Sequence, residues 1–164
     1  MPQLTLEQRV DRLESIDAIK RLKALYCMYC DAKYDAEGIC SLFVEDGVWD
    51  GGSSFGRYEG HQQIRSFFRR ISGDILFAAH LVLNPVIMVE GDRAQGRWWL
   101  HMPCTALNNA GIAEGRWLLS EYDEEYVRVD GTWKFKKLRL DVKYSRTAAS
   151  GLGAGVDWQS DRVI

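Results

Sequence analysis

The residues best suited to chemistry are three histidines with nearby carboxylates and phenols, since the usual nucleophile and nucleotide-binding motifs are missing. His61, His80 and His101 are far apart in the sequence and do not have metal-ligand spacing. The sequence has no GxSxG, no phosphate-binding loop and no dinucleotide fingerprint in a suitable context. Any catalysis must therefore come from acid–base groups in a pocket. This narrows the reaction to proton abstraction, elimination, isomerisation or carbon–carbon cleavage without a cofactor.

His80 lies in the apolar stretch FAAHLVLNP, residues 77–85, which predicts a buried strand and the turn that ends it. Taken alone, a histidine in such a strand is most often a core residue with satisfied hydrogen bonds. If Pro85 causes no bulge, side-chain alternation predicts that His80 shares one face with a set of four further residues, Val82, Asn84, Val86 and Met88.

A polar partner for His80 is available at the end of the first predicted helix. The stretch LYCMYCDAKYD places Tyr26, Tyr29 and Asp31 there. Asp31 follows Tyr26 by five residues, about 140° around an ideal helix, so periodicity alone does not aim both at one pocket. The alternative is that Asp31 is a surface residue at a helix end.

Alternation along the later strands predicts which side of the sheet holds a pocket. One face of residues 98–104 is wholly apolar, and the opposite face carries His101. In the next strand Glu121, Asp123 and Glu125 lie on one face, which must meet solvent or an interface. The pocket side is therefore predicted to be the one that carries Trp98, Met102, Cys104, Ser120 and Tyr122.

The order of the predicted elements gives the fold class. Thr5 and Gln8 fit a capping box, and apolar residues from Leu6 through Val10 and Leu13 to Tyr26 form one helical stripe. Further helices are predicted over residues 35–43 and 60–71. After residue 75, two strands joined by EGDR and two more joined by VDG form a meander. We predict an α+β domain over residues 1–145, with the helices on one face of a curved antiparallel sheet.

The bulk composition is that of an ordinary globular protein, with 46% hydrophobic and 27% charged residues among 164. A formal net charge of −2 gives no case for binding nucleic acid or an anionic membrane. Six Trp and seven Tyr suit a cavity for a flat apolar ligand, and equally a core. Without a long apolar run or a signal-peptide core, a cytoplasmic location is expected.

Two motifs have simpler interpretations than a functional site. The CMYC sequence, Cys27 to Cys30, lies deep in a helical pattern without a second ligand pair, which favours apolar packing over zinc or thioredoxin-type chemistry. All four cysteines are expected to be free thiols. The segment 146–164 is Gly-rich, with Gly151, Gly153 and Gly155, but lacks the strand and helix that flank a phosphate loop, so a flexible tail is predicted.

Several short motifs, in order, resemble the NTF2-like superfamily, specifically its SnoaL-like and scytalone dehydratase-like branch. They are IDAIKRLKALYCMYCDAKYDAEGICSLFVEDGVWD, a strand that carries His, GRWWL, and a Tyr-x-Arg-x-Asp-Gly-x-Trp-Lys-Phe sequence. The resemblance covers roughly residues 10–145 and implies a cone-shaped α+β barrel with a deep apolar pocket.

The resemblance also implies site residues. In scytalone dehydratase, bile-acid 7α-dehydratase and hexachlorocyclohexane dehydrochlorinase, an Asp–His pair performs elimination without a cofactor. Asp31 matches the Asp and His80 the His; Tyr26 matches a contributing Tyr of bile-acid dehydratase. Ser120 and Tyr122 fall where scytalone dehydratase has a Ser and an Asn. We further expect substrate contacts from Tyr29, Trp49, Trp98 and Met102.

The sequence departs from these relatives at several positions. Cys104 stands where scytalone dehydratase has a second His, and Gly51 where it has a Tyr that helps to hold water. Met102 stands near an Asp of bile-acid dehydratase. These changes argue against either enzyme's substrate. Arg139 is one position away from an Arg of the dehydrochlorinase, and we include it among the expected substrate contacts.

The predicted function is that of a cofactor-independent, dehydratase-like lyase that acts on a hydrophobic cyclic or aromatic small molecule. Examples of such a substrate are a steroid, or a lignin-derived aromatic that the enzyme deformylates. A homotrimer is preferred over a dimer, because the relatives that look most similar form trimers. One alternative is a ketosteroid-isomerase-like or polyketide-cyclase-like enzyme. The other is a non-catalytic subunit, such as the small subunit of an aromatic-ring dioxygenase.

Overall fold

A computed structural model describes residues 4–148 of the chain. Two helices come first, two more lie between short strands, and three long strands complete the described domain. The helices are α1 (Leu6–Asp31), α2 (Ala36–Ser41), α3 (Gly52–Phe55) and α4 (Gly60–Asp74). The strands are β1 (Phe43–Asp50), β2 (Arg57–Glu59), β3 (Ile75–Ala78), β4 (Leu81–Glu90), β5 (Arg93–Leu107), β6 (Ala113–Val129) and β7 (Thr132–Thr147). Most of the predicted tail, with its three glycines, lies outside the described residues.

The strands form one sheet in the order β2-β1-β7-β6-β5-β3, and β4 also pairs with β5. The pairings are antiparallel except that β1 runs parallel to β7. The sheet curls into a half-barrel, and the helices pack against it. The predicted α+β class, with helices on a curved sheet, is confirmed. Within residues 4–148, no helix is both long enough and apolar enough to span a bilayer.

The region predicted as one strand through His80 is two strands with a break between them. β3 ends at Ala78 and β4 begins at Leu81, so His80 lies in the break. Farther along β4, the pairing with β5 shifts between Leu83 and Val86, and Asn84 has a φ of 50°. This bulge reverses the alternation, so the predicted shared face is wrong beyond it: Val86 and Met88 are exposed.

The apolar stripe predicted for α1 is buried only in its second half. The capping box of Thr5 and Gln8 is present. Leu6 and Leu13 are nevertheless 71% and 67% exposed, whereas Ile19 and Tyr26 are buried in the core. The first half of the helix is instead tied to the sheet by Asp11, which forms an ion pair with Arg128 at 2.7 Å.

Candidate active site

Asp31 and His80 meet where the end of α1 crosses the break between β3 and β4. The Nδ1 atom of His80 lies 2.7 Å from Oδ1 of Asp31. The backbone N–H of His80 also donates to the same carboxylate, at 3.0 Å to Oδ1 and 3.2 Å to Oδ2. A carboxylate on Nδ1 fixes the imidazole tautomer and leaves Nε2 as the free acceptor.

The break in the sheet is what frees His80 for this contact. Ala78 pairs with Cys104 and Leu81 pairs with His101, so the two residues between them are out of the ladder. Ala79 still donates its backbone N–H to the Pro103 carbonyl, at 3.1 Å. The N–H of His80 is bonded to Asp31 instead, and its side chain is only 5% exposed, against 24% for Asp31.

An apolar cavity lies beside His80, between the helices and the sheet. Its volume is about 30 Å³, enough for a water molecule. A substrate can therefore enter only if lining side chains move. The cavity is lined by aromatic and aliphatic side chains and by His80 itself: Tyr26, Tyr34, Trp49, Phe55, Phe67, Phe68, Ile71, Ile75, His80, Leu100, Met102, Leu118, Tyr122 and Leu140.

A larger groove, of about 820 Å³, lies elsewhere on the surface. It is lined by both apolar and charged side chains, among them Phe43, His61, Met88, Arg93 and Lys134. Neither Asp31 nor His80 borders it. Size alone favours this groove, but the small cavity combines an apolar wall with a paired imidazole, which is the arrangement that acid–base chemistry needs. We therefore take the small cavity as the candidate site.

Three phenols border the cavity, and they differ in their hydrogen bonds. Tyr26 Oη accepts a bond from Trp49 Nε1 at 2.9 Å. The hydroxyls of Tyr34 and Tyr122 make no hydrogen bond to any residue within 4–148, although both side chains are buried. Burial is the main cause that raises the pKa of all three phenols well above the usual value. They therefore remain protonated, as hydrogen-bond donors, at neutral pH.

Several side chains predicted to contact substrate border the cavity. Trp49, Met102 and Tyr122 do so, together with the predicted catalytic Tyr26 and His80. The fold therefore brings these five side chains together around one cavity. Their roles in binding and catalysis stay predictions.

Other residues of the predicted set lie elsewhere. Trp98 donates its indole N–H to Tyr126 at 3.1 Å, and Cys104 is buried without bordering the cavity. Ser120 is fully buried, and its Oγ has no hydrogen-bond partner among the described residues. Tyr29 is half-buried on α1. Arg139 is exposed on the face of β7 opposite Leu138 and Leu140, away from the cavity, and its role in binding stays a prediction.

Sequence reasoning missed Tyr34 and the aromatic wall on α4. Phe67 and Phe68 were predicted as an apolar helix face, but that pattern does not distinguish core from cavity wall. Tyr34 stands three residues after Asp31, outside helical periodicity, since the loop bends back toward His80. The presence of a phenol three residues after the candidate carboxylate was the signal that could have identified Tyr34.

A fully buried ion pair lies behind the cavity and was also missed. Lys23 Nζ is 2.5 Å from Oε1 of Glu124, and both side chains are 0% exposed. The Tyr126 hydroxyl donates to the other carboxylate oxygen of Glu124. On its far side the ammonium lies 3.2 Å from the ring centroid of Tyr122 and 4.7 Å from that of Tyr26. The pair thus packs against two of the three cavity phenols.

The CMYC motif is packed in the core, as predicted. Cys27 and Cys30 are free and buried. Burial raises the pKa of the Cys27 thiol to about 12, and that of Cys30 well above its usual value. Neither sulfur is therefore a thiolate at neutral pH. Within residues 4–148, no group of three or more His, Cys, Asp or Glu side chains is placed to hold a metal ion.

Comparison with known proteins gives a consistent family. The model of the SnoaL-like domain matches residues 11–139. No curated protein sequence matches significantly. A hexachlorocyclohexane dehydrochlorinase, LinA type 2, has 22% identity and a TM-score of 0.79 over 88% of this chain and 96% of its own.

Two further solved structures are similar. LinA type 3 from Novosphingobium barchaimii has 24% identity and a TM-score of 0.75, over 87% of this chain and 95% of its own. A scytalone dehydratase-like protein from Novosphingobium aromaticivorans has 24% identity and a TM-score of 0.73, over 84% and 90%. At this identity, the likeness to solved structures establishes the fold.

Proposed function

The chain belongs to the SnoaL-like family, and from this premise we propose that it is a cofactor-independent lyase that uses the Asp31–His80 pair for elimination. The family and its structural neighbours support a lyase-like or isomerase-like enzyme that acts on a small molecule. The observation that carries the finer proposal is the 2.7 Å contact between His80 Nδ1 and Asp31 Oδ1 at the edge of an apolar cavity.

The chemistry follows from that geometry. Asp31 accepts the Nδ1 proton and fixes the tautomer of the imidazole, so the unprotonated Nε2 takes a proton from a substrate carbon. The electrons of the broken C–H bond form the new double bond as the leaving group departs. A cavity phenol supplies a hydrogen bond to developing negative charge on oxygen. Such general base catalysis contributes typically ~10²–10⁴-fold to the rate.

The walls of the cavity support a hydrophobic cyclic or aromatic substrate. Trp49, Phe67 and Phe68 present aromatic faces, with the Trp49 and Phe67 ring centroids 4.4 Å apart. Flat rings, such as those of steroids or lignin-derived aromatics, fit walls of this kind. One neighbour is named for dehydrochlorination of hexachlorocyclohexane, a hydrophobic ring, which agrees with this class.

We also propose that the protein forms a homo-oligomer, with a trimer preferred. The outer face of the sheet exposes several large apolar side chains on β4 to β7: Leu81, Leu83, Trp99, Trp117 and Tyr144. A cluster of this kind is typical of an interface rather than of a free surface. The cytoplasmic location stays a prediction.

Turnover of simple β-hydroxy ketones tests the proposed function. The first probe is the aldol adduct of benzaldehyde and acetone, called here the hydroxy ketone probe; the others carry the same group on a tetralone and on a steroid. Chelator-treated protein is expected to convert at least one probe to its conjugated enone, measured by ultraviolet absorbance. If no probe eliminates faster than in buffer, the proposed dehydration of this substrate class is wrong.

A further inference from the structure

Tyr34 occupies a strained backbone position beside the candidate base. Lys33 and Tyr34 have φ values of 57° and 55°, in the left-handed region that residues with a Cβ rarely adopt. Backbone strain of this kind concentrates at functional sites. Backbone hydrogen bonds hold the loop, from Tyr34 N–H to the Cys30 carbonyl and from Asp35 N–H to the Tyr29 carbonyl.

This loop places the Tyr34 ring against His80. The two ring centroids are 5.9 Å apart at an interplanar angle of 81°, so the contact is edge-on. The Tyr34 ring also stacks on the Phe68 ring, with the two ring centroids 6.0 Å apart. Tyr34 is 7% exposed, it borders the cavity, and its hydroxyl has no partner within residues 4–148. Its oxygen is not among the fully buried unpartnered side-chain atoms of the described residues, which are Ser15 Oγ and Ser120 Oγ, so the hydroxyl is free to donate to an acceptor on a ligand.

The other two cavity phenols are placed differently. Tyr26 Oη already accepts a hydrogen bond from Trp49, and Tyr122 lies under the Lys23 ammonium. Among the ring contacts of the described residues, only Tyr34 touches the His80 ring. Tyr34 is therefore the phenol best placed to exchange a proton with the imidazole.

The charges around the cavity bear on the leaving group. None of the described residues that border the cavity is Lys or Arg, and the Lys23 ammonium behind Tyr122 is paired with Glu124, so no lysine or arginine side chain lies at the cavity surface to stabilise a departing halide. A hydroxyl group, in contrast, leaves as water once it is protonated, and a protonated phenol supplies that proton. We propose that Tyr34 is the general acid of the reaction, which makes the leaving group a hydroxyl rather than a halide. This inference rests on the proposed elimination by His80.

The proton balance closes within the site. His80 Nε2 takes a proton from carbon, the C–H electrons form the C=C bond, and the C–O bond breaks. The departing oxygen takes the proton of Tyr34 Oη and leaves as water. The imidazolium of His80 then returns its proton to the Tyr34 oxygen, so the protein is unchanged and the substrate has lost one water molecule.

A pair of substrates that differ only in the leaving group tests this assignment. The hydroxy ketone probe and its chloro analogue give the same enone, benzalacetone. Tyr34→Phe is expected to slow water loss by ~10²–10⁴-fold and to leave chloride loss within a few-fold. Equal slowing of both reactions would mean that Tyr34 only positions His80, and no slowing would place the acid elsewhere; either result overturns the proposal. Tyr144→Phe, at a phenol outside the cavity, is the matched control.

Ligand binding gives a readout that does not depend on turnover. Wild-type protein is expected to bind indanol more tightly than indane, and Tyr34→Phe to lower the affinity for indanol by about 2–10-fold, the value of one hydrogen bond. The affinity for indane should not change. An unchanged preference for indanol in Tyr34→Phe would contradict the assignment. Failure of the proposed elimination by His80 would be recognised separately, because elimination would then continue in His80→Ala.

Discussion

Replacement of His80 by alanine is expected to lower the rate of elimination by ~10²–10⁴-fold, the usual contribution of a general base. The variant removes the only imidazole that borders the cavity within residues 4–148. It keeps the backbone N–H that donates to Asp31, so the end of α1 retains its bond to the sheet. Rates on the hydroxy ketone probe, at equal concentrations of folded protein, provide the measurement.

The matched control is His101→Ala. His101 is on the outer face of β5, stacked on Trp117 with the ring centroids 5.0 Å apart, and it does not touch the cavity. This variant should keep the rate of the wild type. Asp31→Asn should resemble His80→Ala in direction, because an amide does not hold the imidazole in the same tautomer. A His80→Ala variant as active as the control would remove the base assignment.

Loss of the buried cation is expected to have the largest effect on stability. Lys23→Met leaves the Glu124 carboxylate without its ion-pair partner, in a site where both side chains are 0% exposed. Breaking a buried ion pair in this way costs about 3–5 kcal/mol, much of the stability of a typical domain. The free energy of unfolding, measured with urea, should fall by that amount.

A double variant separates the lost charge balance from lost packing. In Lys23→Met with Glu124→Gln, no charge is left unpaired, and the amide oxygen can still accept the bond from Tyr126. Most of the lost stability should therefore return. Arg21→Met, at an exposed pair with Asp17, should have little effect. If Lys23→Met lowers the free energy of unfolding no more than Arg21→Met does, the buried ion pair does not stabilise the fold as described.

Side-chain alternation and helical periodicity predicted which faces of the elements are buried better than they predicted which side chains of the site are in contact. The inner face of β5 follows strict alternation, so the burial of Trp98, Leu100, Met102 and Cys104 could be read directly. The contact between Asp31 and His80 could not, because it joins a helix end to a break in the sheet 49 residues later. The resemblance to a family, rather than periodicity, linked these two residues.

The failures have local physical causes. A bulge at Asn84 reverses the parity of β4, and sequence alternation does not register the extra residue. Glu124 was passed over because it lies in an acidic run, yet it alternates with Tyr122 and Tyr126 on the buried face. Tyr34 escaped notice because its position depends on two left-handed backbone residues that are not glycine. The bulge and the loop depart from regular backbone geometry, whereas Glu124 keeps the alternation of its strand and only its charge disagrees with a buried position.

Exchange of a carbon-bound hydrogen tests the role of His80 most directly, because it isolates proton abstraction from departure of a leaving group. Benzylacetone has the skeleton of the hydroxy ketone probe without its hydroxyl. In deuterium oxide, the wild type is expected to exchange the hydrogens beside the carbonyl faster than buffer does, as followed by NMR, and His80→Ala is not. Exchange by His80→Ala at the rate of the wild type, or no exchange by either protein, would contradict the proposal that His80 takes a proton from carbon.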